Sequence, residues 1–511
     1  MCHLGGEELR CAVATTRDRV CSACRSRSVD RYDRRVLPDV DCGVIVMNTT
    51  RTNPGEGRAS GGTVSSIIIV SVPAHGHVTP LLTVAENFVN RGDDVRFITG
   101  ARFADKVAAT GASYVPLPTE ADFDDRSLFG SFPERARLKG VKAIAFDVEH
   151  VVARPAKAQY ETLMAALAAH PADAVLAEPL FLGAVFLLAH PRSARPAVIF
   201  CGIAPLPVES RDTAPFGMGL PPARILNRPR NIALAALNRR VLRRPYRVID
   251  DLHREVHGTD MPGTFVDWGR RADALVQLTV PSFEYPRSDA PAELHFVGPL
   301  SATGSQAPLP PWWADLDGSR PVIHVTQGTL ANTDYGQAIA PTLRALAGDD
   351  VLVVVATGGR PLDTLPPLPA NARAATYLPY DELLPRTAVY VTNGGYGGVQ
   401  YALRYGVPFV ATGGKEDKPE VGARVAWSGV GQRIRSERPT SRALRRDILA
   451  VLNQPHYRHA SQRIAREMSA APGFAGLADV VDRRVGCAKA PKNSVASMRD
   501  DQSCSDAKLP R

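Results

Sequence analysis

Buried strands and amphipathic helices alternate in the hydrophobic pattern from about residue 63 onwards. Ser66 to Val72 is a continuous apolar run with the length of a strand that is covered on both faces. A helical period follows it, opened by Pro80 and ended at Arg91-Gly92. Further strand-like runs lie at 95–99, 114–117, 174–177, 197–200 and 274–280. The alternation predicts right-handed βαβ units and a parallel sheet.

The same alternation begins again after residue 320. Residues 322–326 and 351–355 have strand patterns with a helical pattern between them, and the preceding segment, 301–320, is polar and Pro-rich like a linker. A chain of 511 residues also exceeds the roughly 250–300 residues that one hydrophobic core organises. We therefore predict an α/β protein with two Rossmann-like domains, 63–300 and 321–485, the second ending in a C-terminal helix. Their parallel sheets should face an interdomain cleft, because ligands bind at the carboxyl ends of such strands.

Composition changes at both ends of the chain. Residues 1–62 are rich in Arg, Cys, Asp, Gly and Ser without periodicity, which predicts a disordered leader, and Met47 is an alternative start. Residues 486–511 are polar and mixed in charge, which predicts a disordered tail. Over the whole chain 44% of residues are hydrophobic and 22% are charged, as in globular proteins.

The net charge of +9 does not predict a nucleic-acid partner, because acidic residues are interspersed and no aromatic-plus-basic platform is visible. One stretch, 223–254, is rich in arginine, which is typical either of a solvated helical face or of a peripheral contact with anionic lipid. The sequence shows no secretory signal, no apolar run of about 20 residues and no disulfide framework. We expect a cytoplasmic monomer or weak dimer, peripheral to the inner face of the membrane if the basic stretch binds lipid.

Two patterns that resemble metal ligands are weak. Cys21-x-x-Cys24 has no second pair of cysteines or histidines at ligand spacing, and it lies in the predicted leader. Asp315-Leu316-Asp317 lies in the linker and not at the end of a nucleotide-binding strand. We predict no metal site.

Two histidines follow the first strand directly. His75 and His77 lie at the strand-to-helix turn, where α/β active sites are built. A histidine there can act as a general base because its pKa lies near neutral pH. A purely structural hydrogen bond is the alternative.

Two glycine-rich turns in the second half could bind a diphosphate. Residues 393–398 (Asn-Gly-Gly-Tyr-Gly-Gly) follow a strand and open a helix, where backbone N–H groups are free to bind phosphate. Residues 327–330 (Gln-Gly-Thr-Leu) follow the first strand of this half. Either turn alone could serve only tight packing, but two loops that face one cleft suit a diphosphate.

These residues together resemble the GT-B-fold glycosyltransferases of the UDP-glycosyltransferase superfamily, in particular bacterial members that modify macrolides and lipids. The resemblance covers roughly residues 67–485 and follows the family order. Its motifs are Gly76-His77-Val78-Thr79-Pro80, Gly328-Thr329-Leu330, Tyr377-Leu378-Pro379-Tyr380, Thr392-Asn393-Gly394-Gly395, Gly406-Val407-Pro408 and Glu416-Asp417-Lys418-Pro419.

The resemblance implies an inverting glycosyltransferase in which His77 is the catalytic base, with His75 as the alternative. Glu178 stands where relatives have an aspartate that supports the base; it could instead cap the next helix, and Asp147 is a weaker candidate. The co-substrate is a nucleotide-diphosphate sugar, with no cofactor. The donor site implied by the resemblance consists of Gly328, Thr329, Tyr377, Leu378, Asn393, Gly394, Gly395, Tyr396, Asp417 and Lys418.

Several positions depart from the family pattern. Asn393 replaces a phosphate-binding histidine, Lys418 replaces a glutamine that is common in glucose users, and Tyr380 replaces another glutamine. These departures leave the donor sugar open. Apolar residues at 201–205 and 216–218 indicate a hydrophobic acceptor, either a small molecule or a lipid. The alternatives are a catalytically silent nucleotide-sugar binder and a nucleotide-sugar epimerase.

Overall fold

The computed structural model describes residues 64–127, 132–300, 307–329, 332–414 and 416–489. These residues form two parallel β-sheets with helices on their faces, which confirms the predicted α/β class. The predicted leader and residues 490–511 of the predicted tail lie outside the described residues, whereas residues 486–489 belong to the last helix.

The first sheet belongs to the first half of the chain. Its described strands are β1 (Ser66–Val70), β2 (Asp94–Thr99), β3 (Ser113–Pro116), β4 (Ala174–Ala177), β5 (Ala197–Gly202), β6 (Ala274–Gln277) and β7 (Leu294–Phe296). Their order is β3-β2-β1-β4-β5-β6-β7, and all neighbours are parallel. The strand order reverses between β1 and β4, and a crevice for ligands forms at such a switch point.

The second sheet repeats this plan. Its described strands are β8 (Val322–Thr326), β9 (Leu352–Ala356), β10 (Ala372–Ala375), β11 (Thr387–Thr392), β12 (Phe409–Ala411) and β13 (Gly431–Arg433). Their order is β10-β9-β8-β11-β12-β13, again with parallel neighbours. The switch point lies between β8 and β11, so the loops after these two strands form the corresponding crevice.

Helices cover both faces of the two sheets. The described α-helices of the first half are α1 (His75–Arg91), α2 (Ala104–Ala108), α3 (Gly140–Asp147), α4 (Ala156–Ala169), α5 (Gly183–Leu187), α6 (Asn227–Val241) and α7 (Arg243–His257), and a π-helical segment (Val148–Ala153) follows α3. The later α-helices are α8 (Ile339–Leu346), α9 (Tyr380–Leu383), α10 (Tyr396–Arg404), α11 (Lys418–Trp427), α12 (Ser441–Asn453), α13 (Pro455–Ala470) and α14 (Gly473–Lys489). Short 3₁₀ turns lie at Ala101–Phe103, Asp125–Ser127, Pro133–Arg137, Arg192–Ala194, Phe265–Arg271, Pro281–Phe283, Trp313–Asp315, Tyr335–Gln337, Leu362–Thr364 and Leu384–Arg386. In the part of the chain that the structure describes, no helix is long and apolar enough to cross a membrane.

The apolar run of β1 supplies both faces of the first sheet. Ile68 and Val70 belong to one core cluster, and Ile67 and Ile69 belong to the cluster on the opposite face. All four side chains are fully buried, and each such burial stabilises the fold by roughly 1.5–3 kcal/mol relative to exposure. A strand buried on both faces needs this continuous apolar pattern, which is why the sequence indicates it clearly.

Helix α1 begins at His75, five residues before the predicted start at Pro80. The backbone N–H groups of His77 and Val78 already donate to the Ala74 carbonyl, so the turn after β1 is helical from its first residues. Pro80 lies inside the helix and cannot donate to the carbonyl of Gly76, which is exposed and therefore open to water. His75 and His77 consequently lie on the first turn of α1. The helix ends at Gly92 as predicted, with a left-handed backbone that donates to Phe88 and Val89.

The last helix, α14, packs against the first half, although the sequence predicts that it belongs to the second half. Its residues Leu477, Val481 and Val485 are buried in the core cluster that contains Ile67 and Ile69 of β1. The chain therefore passes back from the second half to cover the first sheet.

Candidate active site

The site in the first half lies at the switch point between β1 and β4. His77 follows β1 on the first turn of α1, and Glu178 is the residue directly after β4. Because β1 and β4 are neighbours, the two side chains meet at the carboxyl edge of the sheet. The Nδ1 atom of His77 lies 2.8 Å from Oε2 of Glu178.

The Glu178 carboxylate is fully buried and surrounded by donors. Its Oε1 accepts the Val72 N–H at 3.1 Å, and its Oε2 accepts the Leu180 N–H at 2.8 Å in addition to the His77 contact. A carboxylate that already accepts two backbone N–H groups acts as an acceptor toward the imidazole, so Nδ1 carries the proton. Nε2 of His77 then holds the free lone pair. The His77 side chain is 23% exposed.

The electrostatics of this pair favour a base. Burial lowers the pKa of His77, but the charge and hydrogen bond of Glu178, with a contribution from Asp417, together outweigh burial and raise it above 6.5. A raised pKa gives the neutral imidazole a stronger hold on a proton, and Glu178 stabilises the imidazolium that results.

The alternative candidates, His75 and Asp147, lie in environments that differ from those of His77 and Glu178. Burial, together with Lys106 and Arg102, lowers the pKa of His75 to about 4. Asp147 is held by Arg135, with an Nη2–Oδ2 distance of 2.8 Å. The helix after Glu178, α5, has no side-chain cap at its N-terminus, so the geometry does not favour the capping role.

The second crevice lies between the loops that follow β8 and β11. The Nδ2 of Asn393 donates to the Gln327 carbonyl at 2.9 Å, which ties the two glycine-rich turns together. Gly395 caps α10 without a side-chain hydrogen bond, and the first turn of α10 has no acidic residue. The N-terminus of α10 is therefore suited to bind an anion through backbone amides.

Other donor-site candidates differ in what they present. Gly328 and Thr329 are exposed in the β8 turn, and Leu330 lies outside the described residues. The side chain of Tyr396 is directed toward the first half, where its hydroxyl lies 3.5 Å from Nε2 of Gln277. The phenol of Tyr396 therefore belongs to the contact between the halves, and only its amide can serve a ligand. The Gly394 N–H already donates to Oγ1 of Thr392 at 3.2 Å.

Tyr377 and Leu378 follow β10 and face opposite ways. Tyr377 is 48% exposed, and its hydroxyl lies beside Gly359, where an added Cβ would be only 2.3 Å away. The tyrosine ring is available to stack on a nucleobase. Leu378 is buried in an apolar cluster with Val354 and Leu383, so its side chain supports the fold and not a ligand. Tyr380 is partly buried, with its hydroxyl 3.2 Å from Nε2 of His324.

Asp417 caps the N-terminus of α11, and Lys418 is the first residue of this helix. Burial, with the charge of Glu416, raises the pKa of Asp417 to about 6, whereas Lys418 and His77 act in the opposite direction. Lys418 is buried and its ammonium pairs with Glu416. Glu416 has a positive φ of 58°, which is uncommon for a non-glycine residue and is found at ligand-binding loops. The charges of His77 in the first crevice and Asp417 beside the second therefore influence each other.

The aspartates of the Asp315-Leu316-Asp317 pattern bind other partners in the structure. Asp315 binds Nε of Arg373 at 2.5 Å, and Asp317 accepts the Ser319 N–H. Cys21 and Cys24 lie outside the described residues. Among the described residues, no group of three or more His, Cys, Asp or Glu side chains is arranged to hold a metal ion.

Sequence reasoning missed two features. The first is the mutual electrostatic effect of His77 and Asp417, which lie 340 positions apart in the chain. The second is a buried charge network in which Arg424 binds both Glu284 and Glu420. Glu420 and Arg424 have the i, i+4 spacing of a helical ion pair, but no signal in the sequence connects them with Glu284.

The chain is similar in sequence to known glycosyltransferases. Residues 340–483 match the family model for the C-terminal domain of erythromycin biosynthesis protein CIII-like proteins. The chain is 40% identical to 4'-demethylrebeccamycin synthase of Lentzea aerocolonigenes over 422 residues, which are 81% of this chain and 98% of that protein. It is 34% identical to UDP-glycosyltransferase 2 of Phaeomoniella chlamydospora over 81% of this chain and 95% of that protein.

A solved structure with the same fold is that of CalG4, the calicheamicin glycosyltransferase. The TM-score is 0.63 at 22% sequence identity, and the match covers 83% of this chain and 98% of that one. At this identity the likeness establishes the fold alone. The two-sheet architecture seen here is therefore shared with solved glycosyltransferases.

Proposed function

The chain belongs to the macrolide-type GT-B glycosyltransferases of the UDP-glycosyltransferase superfamily, and on that premise we propose that it inverts the anomeric centre of a nucleotide-diphosphate hexose. The acceptor is a hydroxyl of a hydrophobic small molecule or lipid. The observation that supports this most is the 2.8 Å contact between His77 and Glu178. This contact leaves one imidazole nitrogen to act as a base at the edge of the first crevice.

The step balances as a single displacement. Nε2 of His77 takes the proton of the acceptor hydroxyl while the oxygen forms a bond to the anomeric carbon. The bond from that carbon to the diphosphate oxygen breaks, and the nucleotide diphosphate leaves with the electron pair. A positioned general base typically contributes about 10²–10⁴ in rate.

The second half holds the donor. The amides of Gly395 and Tyr396 at the N-terminus of α10 bind the diphosphate and stabilise the charge that develops on it, while Gly394, whose N–H donates to Oγ1 of Thr392, shapes the turn with its left-handed φ of 91°. This replaces the role of a metal ion, so the reaction is metal-independent. Tyr377 stacks on the nucleobase, and Asp417 accepts a hydrogen bond from a sugar hydroxyl. Lys418 contributes through its pair with Glu416, which fixes the loop.

Glycosyl transfer is the activity for which the relatives are named. The silent-binder alternative rested on unusual residues at Glu178 and Asn393. Glu178 makes the contact that an orienting aspartate would make, and Asn393 ties the two donor turns together. The epimerase alternative requires a carboxylate-rich site without an acceptor, and the relatives give it no support.

A pair of variants tests the base. His77→Ala should lower transfer from a matched sugar donor about 10²–10⁴-fold, whereas calorimetric binding of the nucleoside diphosphate should stay within about twofold of wild type. His75→Ala is the matched control and should retain most of the activity. Full transfer by His77→Ala would overturn the assignment, and equal losses in both variants would point to a shared structural effect.

The donor nucleotide is identified by thermal shift with uridine and thymidine diphosphates in separate arms. A ligand at about 100 times its Kd stabilises the native state by about 2.7 kcal/mol, so the preferred base gives the larger shift. Sugar conjugates of that nucleotide are then tested with hydrophobic acceptors.

We also propose that α6 makes a peripheral contact with an anionic membrane. Large apolar side chains just before this helix and along it are exposed: Ile225 is 80% exposed, Leu226 72%, Ile232 63% and Leu237 53%. Arg240, Arg243 and Arg247 are exposed nearby and form no ion pair with an acid among the described residues. Exposed apolar residues flanked by such arginines complement an anionic lipid surface.

Sedimentation with vesicles tests this contact. Wild-type protein should bind vesicles that contain anionic phosphatidylglycerol and not vesicles of phosphatidylcholine alone, and Ile232→Glu with Leu237→Glu should abolish binding. Light scattering on the same protein preparations without vesicles measures the oligomeric state, for which a monomer or weak dimer is the expectation. A wild-type dimer that the double variant dissociates would assign the surface to self-association and not to lipid.

A further inference from the structure

Four charged side chains from the two halves form one buried network. Glu284 and Arg287 follow the 3₁₀ turn after β6, and Glu420 and Arg424 lie one turn apart on α11. The exposed fractions of these side chains are 1%, 4%, 6% and 1% in that order. The network holds two acids and two arginines, so it is formally neutral.

Arg424 is the centre of this network. Its Nε and Nη2 bind the two oxygens of Glu284 at 2.6 and 2.9 Å, and its Nη1 binds Oε2 of Glu420 at 2.8 Å. Arg287 completes the set with an Nη1–Oε2 distance of 3.3 Å to Glu284. A two-pronged arginine–carboxylate pair fixes orientation as well as distance. The approach of α11 to the first half is therefore defined in register.

Stability alone does not account for such a network. Removing ions from water is unfavourable, and a buried ion pair is often no more stabilising than apolar side chains of the same volume. A buried network is better explained if its carboxylates and arginines also position another segment of the chain. Two segments of one loop are held in this way.

The loop between β5 and α6, residues 203–226, is attached to the network at two points. At its start, the Leu206 N–H donates to Oε1 of Glu284 at 3.1 Å, and the Leu206 carbonyl accepts from Arg287 at 2.9 Å. Further along, the N–H groups of Gly217 and Gly219 donate to Oε1 of Glu420 at 3.0 and 2.6 Å. Each carboxylate thus uses one oxygen for the loop while it binds Arg424.

The loop also lies at the place where an acceptor would bind. β5 neighbours β4, so the loop leaves the first sheet at the same carboxyl edge as Glu178 and His77. Across the contact, Glu420 is three residues from Asp417, and its N–H donates to the Asp417 carbonyl at 2.9 Å. One helix turn of α11 therefore carries both the donor-sugar candidate and the attachment of the loop.

We infer that Glu420 and Arg424 are positioning residues for the acceptor: they hold the loop of residues 203–226 on α11 so that the acceptor hydroxyl is presented to His77. This inference rests on the proposed function. Neither side chain touches the reacting atoms. Loss of the attachment should weaken acceptor use and leave donor binding and reaction with water unchanged.

Gly219 provides a test that leaves every charge in place. Its φ is +58°, and a Cβ added there would lie 2.6 Å from the Pro419 carbonyl oxygen and 2.7 Å from Nη2 of Arg433. Gly219→Ala therefore pushes the loop away from α11. Gly263, with a φ of +80° and no atom within 4 Å of an added Cβ, lies outside the network. Gly263→Ala is the matched control for backbone strain without a clash.

The experiment compares Glu420→Ala, Gly219→Ala and Gly263→Ala in the full chain. We measure acceptor KM and kcat, the dissociation constant of the nucleoside diphosphate by calorimetry, and the rate of donor hydrolysis without acceptor. The first two variants should raise acceptor KM at least about tenfold, with donor binding and hydrolysis within about twofold of wild type. Gly263→Ala should match wild type in all three measurements.

The possible failures can be told apart. If wild type transfers sugar but Glu420→Ala and Gly219→Ala keep its acceptor KM, the positioning role is wrong while the proposed function stands. If both variants lose transfer, hydrolysis and donor binding in equal proportion, the network is merely structural and the inference is also overturned. If wild type neither transfers nor hydrolyses any donor, the proposed function itself fails. Should Glu420→Ala not fold, Gly219→Ala decides, because it preserves the ion pairs.

Discussion

Replacing Glu178 by glutamine exchanges one carboxylate oxygen for an NH₂ group. Each partner of the Glu178 carboxylate named above is an N–H donor. The carboxylate accepts the N–H groups of Val72 and Leu180 and faces Nδ1 of His77. In Glu178→Gln one of these positions becomes an NH₂ group, which cannot accept. If it replaces Oε1, the buried Val72 N–H loses its acceptor. If it replaces Oε2, Leu180 loses its acceptor and His77 shifts to the tautomer with its proton on Nε2.

The expected magnitudes follow from these two cases. A buried N–H without an acceptor lowers the free energy of unfolding by about 1–3 kcal/mol, which urea titration can measure. When the NH₂ group replaces Oε2, the wrong tautomer removes the base, so transfer should fall by about 10²–10⁴, which corresponds to roughly 3–5 kcal/mol of activation free energy. The loss in rate should exceed what the loss in stability explains, because the folded fraction remains near one.

A pH profile separates the electrostatic role of Glu178 from its role in folding. Wild-type kcat/KM should rise with pH through the pKa of His77, which lies above 6.5 because of Glu178 and, to a smaller extent, Asp417. In Glu178→Gln burial remains while the main raising influence is removed, so the midpoint should move to lower pH. The rates are measured between about pH 5 and about pH 9, on both sides of the ordinary histidine pKa of about 6.5.

Asp147→Asn is the control for the same carboxylate-to-amide change. Asp147 binds Arg135 and makes no contact with His77, so this variant should keep the wild-type midpoint. Glu178 does not support His77 if Glu178→Gln keeps both the wild-type rate and the wild-type midpoint, or if Asp147→Asn produces the same shift.

Three further outcomes are expected. Asn393→Ala removes the 2.9 Å bond to the Gln327 carbonyl and should weaken nucleoside diphosphate binding about tenfold, or about 1.4 kcal/mol, in calorimetry; unchanged affinity would mean that the tie does not shape the diphosphate site. Tyr377→Ala should cost about 1–3 kcal/mol of the same binding through lost stacking, whereas an equal loss for a free pyrophosphate ligand would contradict a base contact. Burial lowers the pKa of His324 from 6.5 to about 4, so the unfolded chain takes up that proton first and stability should fall by about 3 kcal/mol as pH drops from 6.5 to about 4; urea unfolding of His324→Phe should lose that part of the pH dependence.

The sheets could be predicted well because their signal is local. The run of residues 66–72 and the later strand patterns are apolar on both faces, and a strand buried on both faces has few other sequence solutions. Strands β7, β12 and β13 were not predicted because each has three residues in the structure, too few for a periodic pattern. The four-residue β10, Ala-Arg-Ala-Ala, was not predicted either. The predicted start of α1 is wrong: Pro80 has the pattern of a first helical residue, but the helix begins at His75, and the Gly76 carbonyl that Pro80 cannot bind is exposed to water.

The site could be predicted only where its residues follow strand ends directly. His77 and Glu178 lie just beyond neighbouring strands, so parallel pairing brings them together, and the structure places them in contact. Leu378 shares a motif with Tyr377 but faces the core, because neighbouring residues of an extended segment point in opposite directions. Motif membership alone could not separate these two side chains.

Contacts between distant segments were beyond the reach of the sequence. The bond of Arg424 to Glu284 spans 140 positions, and its existence depends on how the two halves meet. Periodicity within either element contains no information on that meeting. The same holds for Asp417, whose effect on His77 arises from the docking of α11.

The return of α14 to the first sheet makes the front unit discontinuous along the chain. A fragment cut after residue 300 would retain seven strands of the described first sheet yet uncover the surface on which Leu477, Val481 and Val485 rest. Such a fragment should aggregate, and a peptide of residues 473–489 supplied in trans should restore its solubility. Swapping donor halves between relatives therefore requires two crossovers, one in the linker and one ahead of the final helix.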